Sequence, residues 1–295
     1  MPAVKIVRPA PATKGSSQDI VRLPGSLSLV LPAHNEEQNI QYVVEQAIDV
    51  LPKFTSAFEI IVVDDGSRDR TAEIIDDLAG NDARVRSIHH RRNKGYGGAL
   101  TTGFGATTCD FVMFMDSDRQ FDVADISLLA PFVGKFDIVA GVRLERNDPF
   151  HRRLFAEVFN LTVRVLFGVR LHDIDCAFKI FRGDLLRSME LTAPGALINT
   201  EIQAKARRQG ATVEQVGVHH YPRVAGEASG GSPKVILRAM RETIVLWWNM
   251  HSYVPPSRSK KPNGPYLLGD FLIGAATFLG IPAIVAFGRR LFRRN

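Results

Sequence analysis

Four short apolar runs each end in a loop rich in Asp, Asn, Glu or Gly, and this recurrence constrains the fold more than any other feature. Residues 27–31 (LSLVL) run into Pro32-Ala33-His34-Asn35-Glu36-Glu37, and 59–63 (EIIVV) into Asp64-Asp65-Gly66-Ser67. Residues 85–88 lead to Asn93-Lys94-Gly95-Tyr96-Gly97-Gly98, and 111–115 (FVMFM) to Asp116-Ser117-Asp118-Arg119-Gln120. Between them Ile40, Val43, Val44, Ala47, Ile48 and Leu51 recur at helical spacing behind a candidate start at Asn35-Glu36-Glu37, and 71–79 and 99–107 read as further helices. Residues 136–140 add a fifth strand. Strands that are apolar throughout and separated by helices specify an α/β fold, a mostly parallel sheet with helices on both faces. Ligands of such sheets bind beyond the carboxyl ends of the strands, so the four loops are expected to line one crevice.

Charge separates the ends of the chain from its body. The net charge is +6. Residues 1–24 carry Lys5, Arg8, Lys14 and Arg22 against Asp19, and 251–295 carry seven basic residues against Asp270, which leaves 25–250 at −3. A basic stripe for nucleic acid is therefore not expected. Cys109 and Cys176 cannot make a disulfide framework, and no apolar run precedes the Pro/Ala/Ser-rich stretch, so no secretory signal is expected. Residues 1–25 read as a flexible tail.

The C-terminal third has a different pattern. Ile236, Leu237, Met240, Ile244, Trp247 and Trp248 share one helical face, with Lys234, Arg238 and Arg241 off it, which suits a helix lying in a membrane interface or, alternatively, one packed on the core. Residues 267–287 hold a single charge, Asp270, and are long enough to cross a hydrocarbon core of about 30 Å. Gly280-Ile281-Pro282 could instead turn that segment back as a re-entrant hairpin. Basic residues flank both ends, so charge does not orient it.

The loops carry the candidate chemistry. Asp64 and Asp65 repel each other unless given donors or a cation, and Gly66 admits close backbone approach. Asp116 and Asp118, one residue apart beyond a buried strand, offer the oxygen pair that a hard divalent cation needs when it also ligates a diphosphate. The glycine-rich 93–98 turn suits phosphate or ribose but is neither a P-loop nor a dinucleotide fingerprint. His89-His90 and His219-His220 lack ligand spacing and read as structural.

The signatures PAHNEE, VDDGSRDRT, NKGYGGAL and MDSDRQ, in this order, resemble the family 2 glycosyltransferases of the GT-A type. GVR at 141–143, HRRLFAEVFN at 151–160, DIDCAFKIFR at 173–182, NTEIQAKARRQG at 199–210 and HYPRVAGEASGGSPK at 220–234 look like the polyprenyl-phosphate branch, the dolichyl-phosphate mannosyltransferase-like enzymes. The resemblance covers about residues 26–250 and implies a Rossmann-like GT-A domain over 26–230, while the residue patterns beyond it are read as an amphipathic interfacial helix and linker over 231–262, a transmembrane or re-entrant segment over 266–288 and a basic tail over 289–295. Ala177, where the branch often has Gly, and His34, where many members carry Tyr, depart from it.

What the resemblance implies about activity is inverting transfer of one sugar from a nucleotide-sugar donor, GDP-mannose or UDP-glucose, to a membrane polyprenyl phosphate. It assigns Asp118, Arg143 and Arg153 catalytic roles, the two arginines holding the acceptor phosphate. Pro32, Ala33, Asn35, Glu36, Asp64, Asp65, Gly66, Lys94, Gly95, Asp116, Lys179, Arg223 and Ser229 match donor-binding positions. Asp116, Asp118 and Gln120 match the loop that holds Mg²⁺ or Mn²⁺. Glu201 matches a family acid, with helix capping as the competing role, and Gly226, Gly230 and Gly231 would let a loop close over the donor. Membrane attachment is expected from the apolar 267–287 segment and its basic flanks, with the catalytic domain on the cytoplasmic side. A processive polysaccharide synthase fits less well, because no Q-x-x-R-W stands near Trp247 and Trp248 and one apolar segment cannot form a polymer channel. A non-catalytic sugar-nucleotide-binding membrane partner is the alternative from another class, disfavoured by the joint presence of Asp116, Asp118, Arg143 and Arg153.

Overall fold

Runs such as FVMFM have no polar alternation, so both of their faces must be covered, and they occupy the middle of a seven-stranded sheet. The computed structural model describes residues 6–7, 20–144, 150–223, 233–253 and 255–256, with side chains at 150–157, 233–240 and 251–252 outside the description. The strands are β1 (Leu27–Ala33), β2 (Phe58–Asp64), β3 (Val85–His89), β4 (Phe111–Met115), β5 (Ile138–Arg143), β6 (Phe178–Arg182) and β7 (Val213–Val218). Their order is β3-β2-β1-β4-β6-β5-β7. Only β6 breaks the parallel pattern, running antiparallel to both β4 and β5. The described helices are α1 (Ile40–Val50), α2 (Thr71–Asn81), α3 (Tyr96–Ala106), α4 (Ile126–Leu129), α5 (Phe150–Phe167), α6 (Gly183–Arg187), α7 (Ile198–Arg208) and α8 (Pro233–Ser252).

The chain adds β2 and β3 on one side of β1 and then places β4 on the other, so the connections diverge at the carboxyl ends of β1 and β4. That divergence leaves an opening between two loops, the usual location of a ligand in an open α/β sheet. Beneath it the core is continuous: β1 and β4 bury every residue, and Phe104, Phe114 and Phe181 pack ring against ring at 5.8–6.5 Å between centroids.

Several sequence expectations change. The first strand extends past the expected 27–31: β1 stays in register with β2 through Ala33↔Asp64, while its pairing with β4 stops at Val30↔Phe114. Helix α1 starts at Ile40 and not at Asn35, because the 35–37 side chains are engaged elsewhere. Strands β6 and β7 were not expected; Lys179 and Arg182 interrupt the apolar character of the first, and Glu214 and Gln215 that of the second. Part of the expected tail is paired, since Val7 N–H donates to Gln215 O and Gly217 N–H donates to Val7 O, both at 2.9 Å, along the edge of β7.

Of the apolar face anticipated for helix α8, the side chains of Ile236, Leu237 and Met240 lie outside the described residues, and the described part docks only partly by that face. Thr243, Leu246 and Met250 are buried, with Trp247 at the core's edge, whereas Ile244 is 64% exposed. The helix packs against α5 and α7. Among the described residues no helix is long and apolar enough to cross a membrane. The 266–288 segment, the 289–295 tail and Ser229 with its neighbouring glycines lie outside the described residues.

Candidate active site

The four loops open onto one cavity of about 710 Å³. Pro32, Ala33, His34, Asn35 and Glu36 contribute from β1, Asp65 from β2, Asn93, Gly95 and Tyr96 from the β3 loop, and Asp116, Ser117 and Asp118 from β4. Arg223, carried beyond β7, reaches the same space.

The first two loops are stitched together. Asn35 N–H donates to Ser67 Oγ at 2.9 Å, and its Oδ1 accepts from Arg68 N–H at 2.8 Å. Glu36 N–H donates to Thr71 Oγ1, and Glu37 accepts from Arg70 N–H. These bonds take the groups that would otherwise cap α1, which explains the later helix start. Glu36 itself is part-buried, and burial raises its pKa against the hydrogen bond from Asn39 and the charge of Arg223.

The adjacent carboxylates of Asp64 and Asp65 divide their work. Asp64 accepts from Ser67 N–H at 2.9 Å and faces His89 Nδ1 at 3.4 Å; it does not line the cavity. Asp65 accepts from Lys94 N–H and Gly95 N–H, each at 2.8 Å, and meets buried His90 Nδ1 at 2.7 Å. It thus fixes the glycine-rich turn, from which the Lys94 side chain points to solvent. Gly66, at φ +71°, is required by the protein itself: a Cβ there would sit 2.9 Å from Asn93 N.

His89 gives a pH prediction. Burial opposes its charge, but the carboxylates of Asp76 and Asp64 outweigh that and raise its pKa. A raised value in the folded state means that the stabilisation is full below the unfolded value of about 6.5 and fades as pH rises through the folded one. His89→Gln is expected to lower the urea midpoint most at about pH 6, with the difference from wild type narrowing toward about pH 9.

Beyond β4, Asp116 Oδ1 accepts from the Tyr96 hydroxyl at 2.9 Å. Burial and the neighbouring charge of Asp118 push the Asp116 carboxyl up to about 7, against the Tyr96 hydrogen bond and the more distant Arg143 and Lys179. Burial, and next Asp116, hold the Tyr96 hydroxyl well above its ordinary value, so it remains a donor. Asp118 is 4% exposed; its Oδ2 lies 2.6 Å from Arg223 Nη2 and its Oδ1 accepts from Gln120 N–H at 3.1 Å. The Gln120 side chain donates to Tyr221 O at 3.2 Å and does not line the cavity.

Arg143, at the end of β5, is forked onto buried Asp173, Nε at 2.6 Å and Nη2 at 2.7 Å. Burial opposes its charge, yet Asp173 outweighs this and raises the Arg143 pKa further. Arg153 lies in α5, where its side chain falls outside the described residues. Lys179 is fully buried beneath the 174–177 loop, where Nζ donates to Ile174 O at 3.1 Å and to Cys176 O; burial lowers its pKa. It does not line the cavity.

Glu201 also stands outside the cavity. Its buried carboxylate accepts from Thr192 N–H and Ala193 N–H and pairs with Lys205 Nζ at 2.7 Å, so it holds the 192–195 loop behind the glycine-rich turn. Glu201→Gln, which leaves Lys205 buried without its counter-charge, is expected to cost about 3 kcal/mol in urea denaturation. The residues that sequence reasoning missed as cavity groups are His34, Asn93, Tyr96, Ala99 and Ser117. They stand inside the quoted signatures, but nothing in their types marked them.

Residues 28–189, over half of the chain, match the model of a family described as Glycosyl transferase family 2. Glycosyltransferase AglD of Haloferax volcanii is 30% identical over 253 residues, 82% of this chain and 39% of that protein. The undecaprenyl-phosphate 4-deoxy-4-formamido-L-arabinose transferase of Pseudomonas aeruginosa is 33% identical over 165 residues, 55% of this chain and 49% of the relative. The chain therefore spans about two fifths of the first of these curated relatives and about half of the second. Among solved structures, glucosyl-3-phosphoglycerate synthase of Mycobacterium tuberculosis superimposes with a TM-score of 0.61 at 23% identity, over 86% of this chain and 89% of that one, a likeness of fold. The four loops, the sheet that carries them and these similarities agree that the chain belongs to glycosyl transferase family 2.

Proposed function

We propose that this protein transfers one sugar, with inversion, from a nucleotide-sugar donor to the phosphate of a membrane polyprenol. The observation that carries the reading is the convergence of the Asp116–Asp118 pair with the Asn35–Glu36 and Asp65 loops on one cavity at the divergence of β1 and β4. The name of the Pseudomonas relative, an undecaprenyl-phosphate sugar transferase, supports the acceptor class. GDP-mannose and UDP-glucose are the donors we favour. We further propose that 26–230 is the transferase domain and that the segments after it attach the protein to the membrane with that domain on the cytoplasmic side.

The residues fit a divalent cation. Asp116 and Asp118 offer only oxygen, and a cation would offset both the burial and the neighbouring Asp118 charge that lift Asp116. Among the described residues no third His, Cys, Asp or Glu completes a cluster with them. The mycobacterial synthase was crystallised with Mn²⁺ and UDP, which supports Mg²⁺ or Mn²⁺ here. Bound there, with Gln120 as a further candidate ligand, such an ion would supply neutralisation of the leaving nucleoside diphosphate.

The chain's own groups do the rest. Tyr96 orients Asp116, and Asp65 sets the turn against which the donor lies. A phosphate monoester, with a second pKa of about 6, attacks already ionised and needs no general base. Positioning is then the main task, and Arg143 suits it: Asp173 fixes Nε and Nη2, leaving the Nη1 edge for an acceptor oxygen. Arg153 and Ser229 complete the proposed acceptor and donor contacts.

A panel of nucleotide sugars assayed against a short polyprenyl phosphate with Mg²⁺ or Mn²⁺ tests the reading. An acid-labile, lipid-extractable product labelled from one donor is expected. Nucleotide-sugar binding without turnover on any lipid phosphate would overturn it.

A further inference from the structure

We infer that Arg223 is the resident counter-ion of Asp118 and that the donor's diphosphate releases it, so that nucleotide and divalent cation bind as one coupled event. The inference rests on the function proposed above and adds an order to it. Arg223 spans two loops: Nη2 is 2.6 Å from Asp118 Oδ2, and Nη1 is 3.9 Å from Glu36 Oε1. Both carboxylates and the guanidinium line the same cavity.

This placement is built by the chain beyond β7. Tyr221 N–H donates to Gln120 O at 2.9 Å, and Gln120 Nε2 returns a bond to Tyr221 O at 3.2 Å. His219 N–H donates to Asp125 Oδ2 at 2.9 Å, its ring Nδ1 lies 3.0 Å from Asp125 Oδ1, and His220 stands edge-on to the Phe121 ring at 5.2 Å. The segment that delivers Arg223 is therefore fastened to the loop that carries Asp118.

The consequence for binding is physical. Asp118 has one oxygen committed to a guanidinium and the other to Gln120 N–H, while the group bonded to Asp116 is the neutral Tyr96 hydroxyl. A cation arriving alone must break a charge-assisted bond at a part-buried site. A diphosphate arriving with it offers the guanidinium equivalent oxygens, which forked arginine geometry suits, so the exchange keeps every charge paired. Binding free energies are reciprocal, so nucleotide and cation must raise each other's affinity by the same factor.

Mn²⁺ binding to the full chain, followed by calorimetry and by electron paramagnetic resonance with and without GDP or UDP, tests this. Wild type is expected to bind Mn²⁺ weakly alone and tightly with one of the nucleotides. Arg223→Gln is expected to gain about tenfold in nucleotide-free Mn²⁺ affinity, about 1.4 kcal/mol, and to lose part of the coupling factor. Arg119→Gln controls for loss of charge in general, because that guanidinium lies 4.0 Å over the Tyr42 ring. Equal nucleotide-free affinity in wild type and Arg223→Gln, or an equal gain in Arg119→Gln, overturns the inference and leaves the proposed function standing. Absence of Mn²⁺ binding in wild type and Arg223→Gln with either nucleotide overturns both.

Discussion

Asp118→Asn is expected to lower kcat for sugar transfer by about a thousandfold, the range seen when one preorganised group facing developing charge is removed. The substitution keeps the shape of the side chain and its bond from Gln120 N–H, while removing the charge that faces Arg223. Stability should change little. The lost ion pair is part-exposed on the arginine side, and the same substitution removes the charge that helps push Asp116 up to about 7. Steady-state kinetics beside a thermal melt separates these outcomes. A melting temperature within a few degrees of wild type with transfer lost assigns the effect to chemistry. Transfer at the wild-type rate would remove Asp118 from the cation site and, with it, the proposed role of the loop beyond β4.

The candidate residues that line the cavity and those that stand outside it differ in one physical respect. Asn35, Glu36, Asp65, Asp116 and Asp118 follow apolar strands directly, so strand register alone carries them to the cavity. Asp64, one residue before Asp65, points the other way along the same strand and serves His89 and Ser67, a consequence of the period of two that adjacency in sequence conceals. Lys179 and Arg143 sit on β6 and β5, whose order in the sheet local patterns do not encode. Lys179 is aimed into the core beneath the 174–177 loop, and Arg143 is held by Asp173, thirty residues away in the chain. The central strands were legible because burial on both faces leaves an unbroken apolar run; β6 and β7 were not, because charged and amide side chains interrupt theirs.

Two glycines of one helix should respond to the same substitution with opposite signs. In α3, a Cβ on Gly97 would lie 2.0 Å from Ala193 O and 2.8 Å from Gly195 O, while one on Gly105 would meet nothing within 4 Å. The obstacle at Gly97 is backbone, and that backbone cannot drift away: Glu201 clamps Thr192 and Ala193, and Gly97 N–H donates to Pro194 O at 2.8 Å. Gly97→Ala must therefore push α3 off the 192–195 loop, and overpacking of this kind is expected to cost about 3 kcal/mol, lowering Tm by about 8 °C in a domain of this size. Because Gly95 and Tyr96 line the cavity at the start of the same helix, donor affinity should fall with stability. Gly105→Ala instead meets open space in a helical conformation and should raise stability by about 0.5–1 kcal/mol through reduced freedom of the unfolded chain and better helix propensity. Urea denaturation of both variants checks the pair. A neutral Gly97→Ala would mean that the 192–195 loop is not held against α3, and Glu201 would then lose its role as the clamp behind the glycine-rich turn.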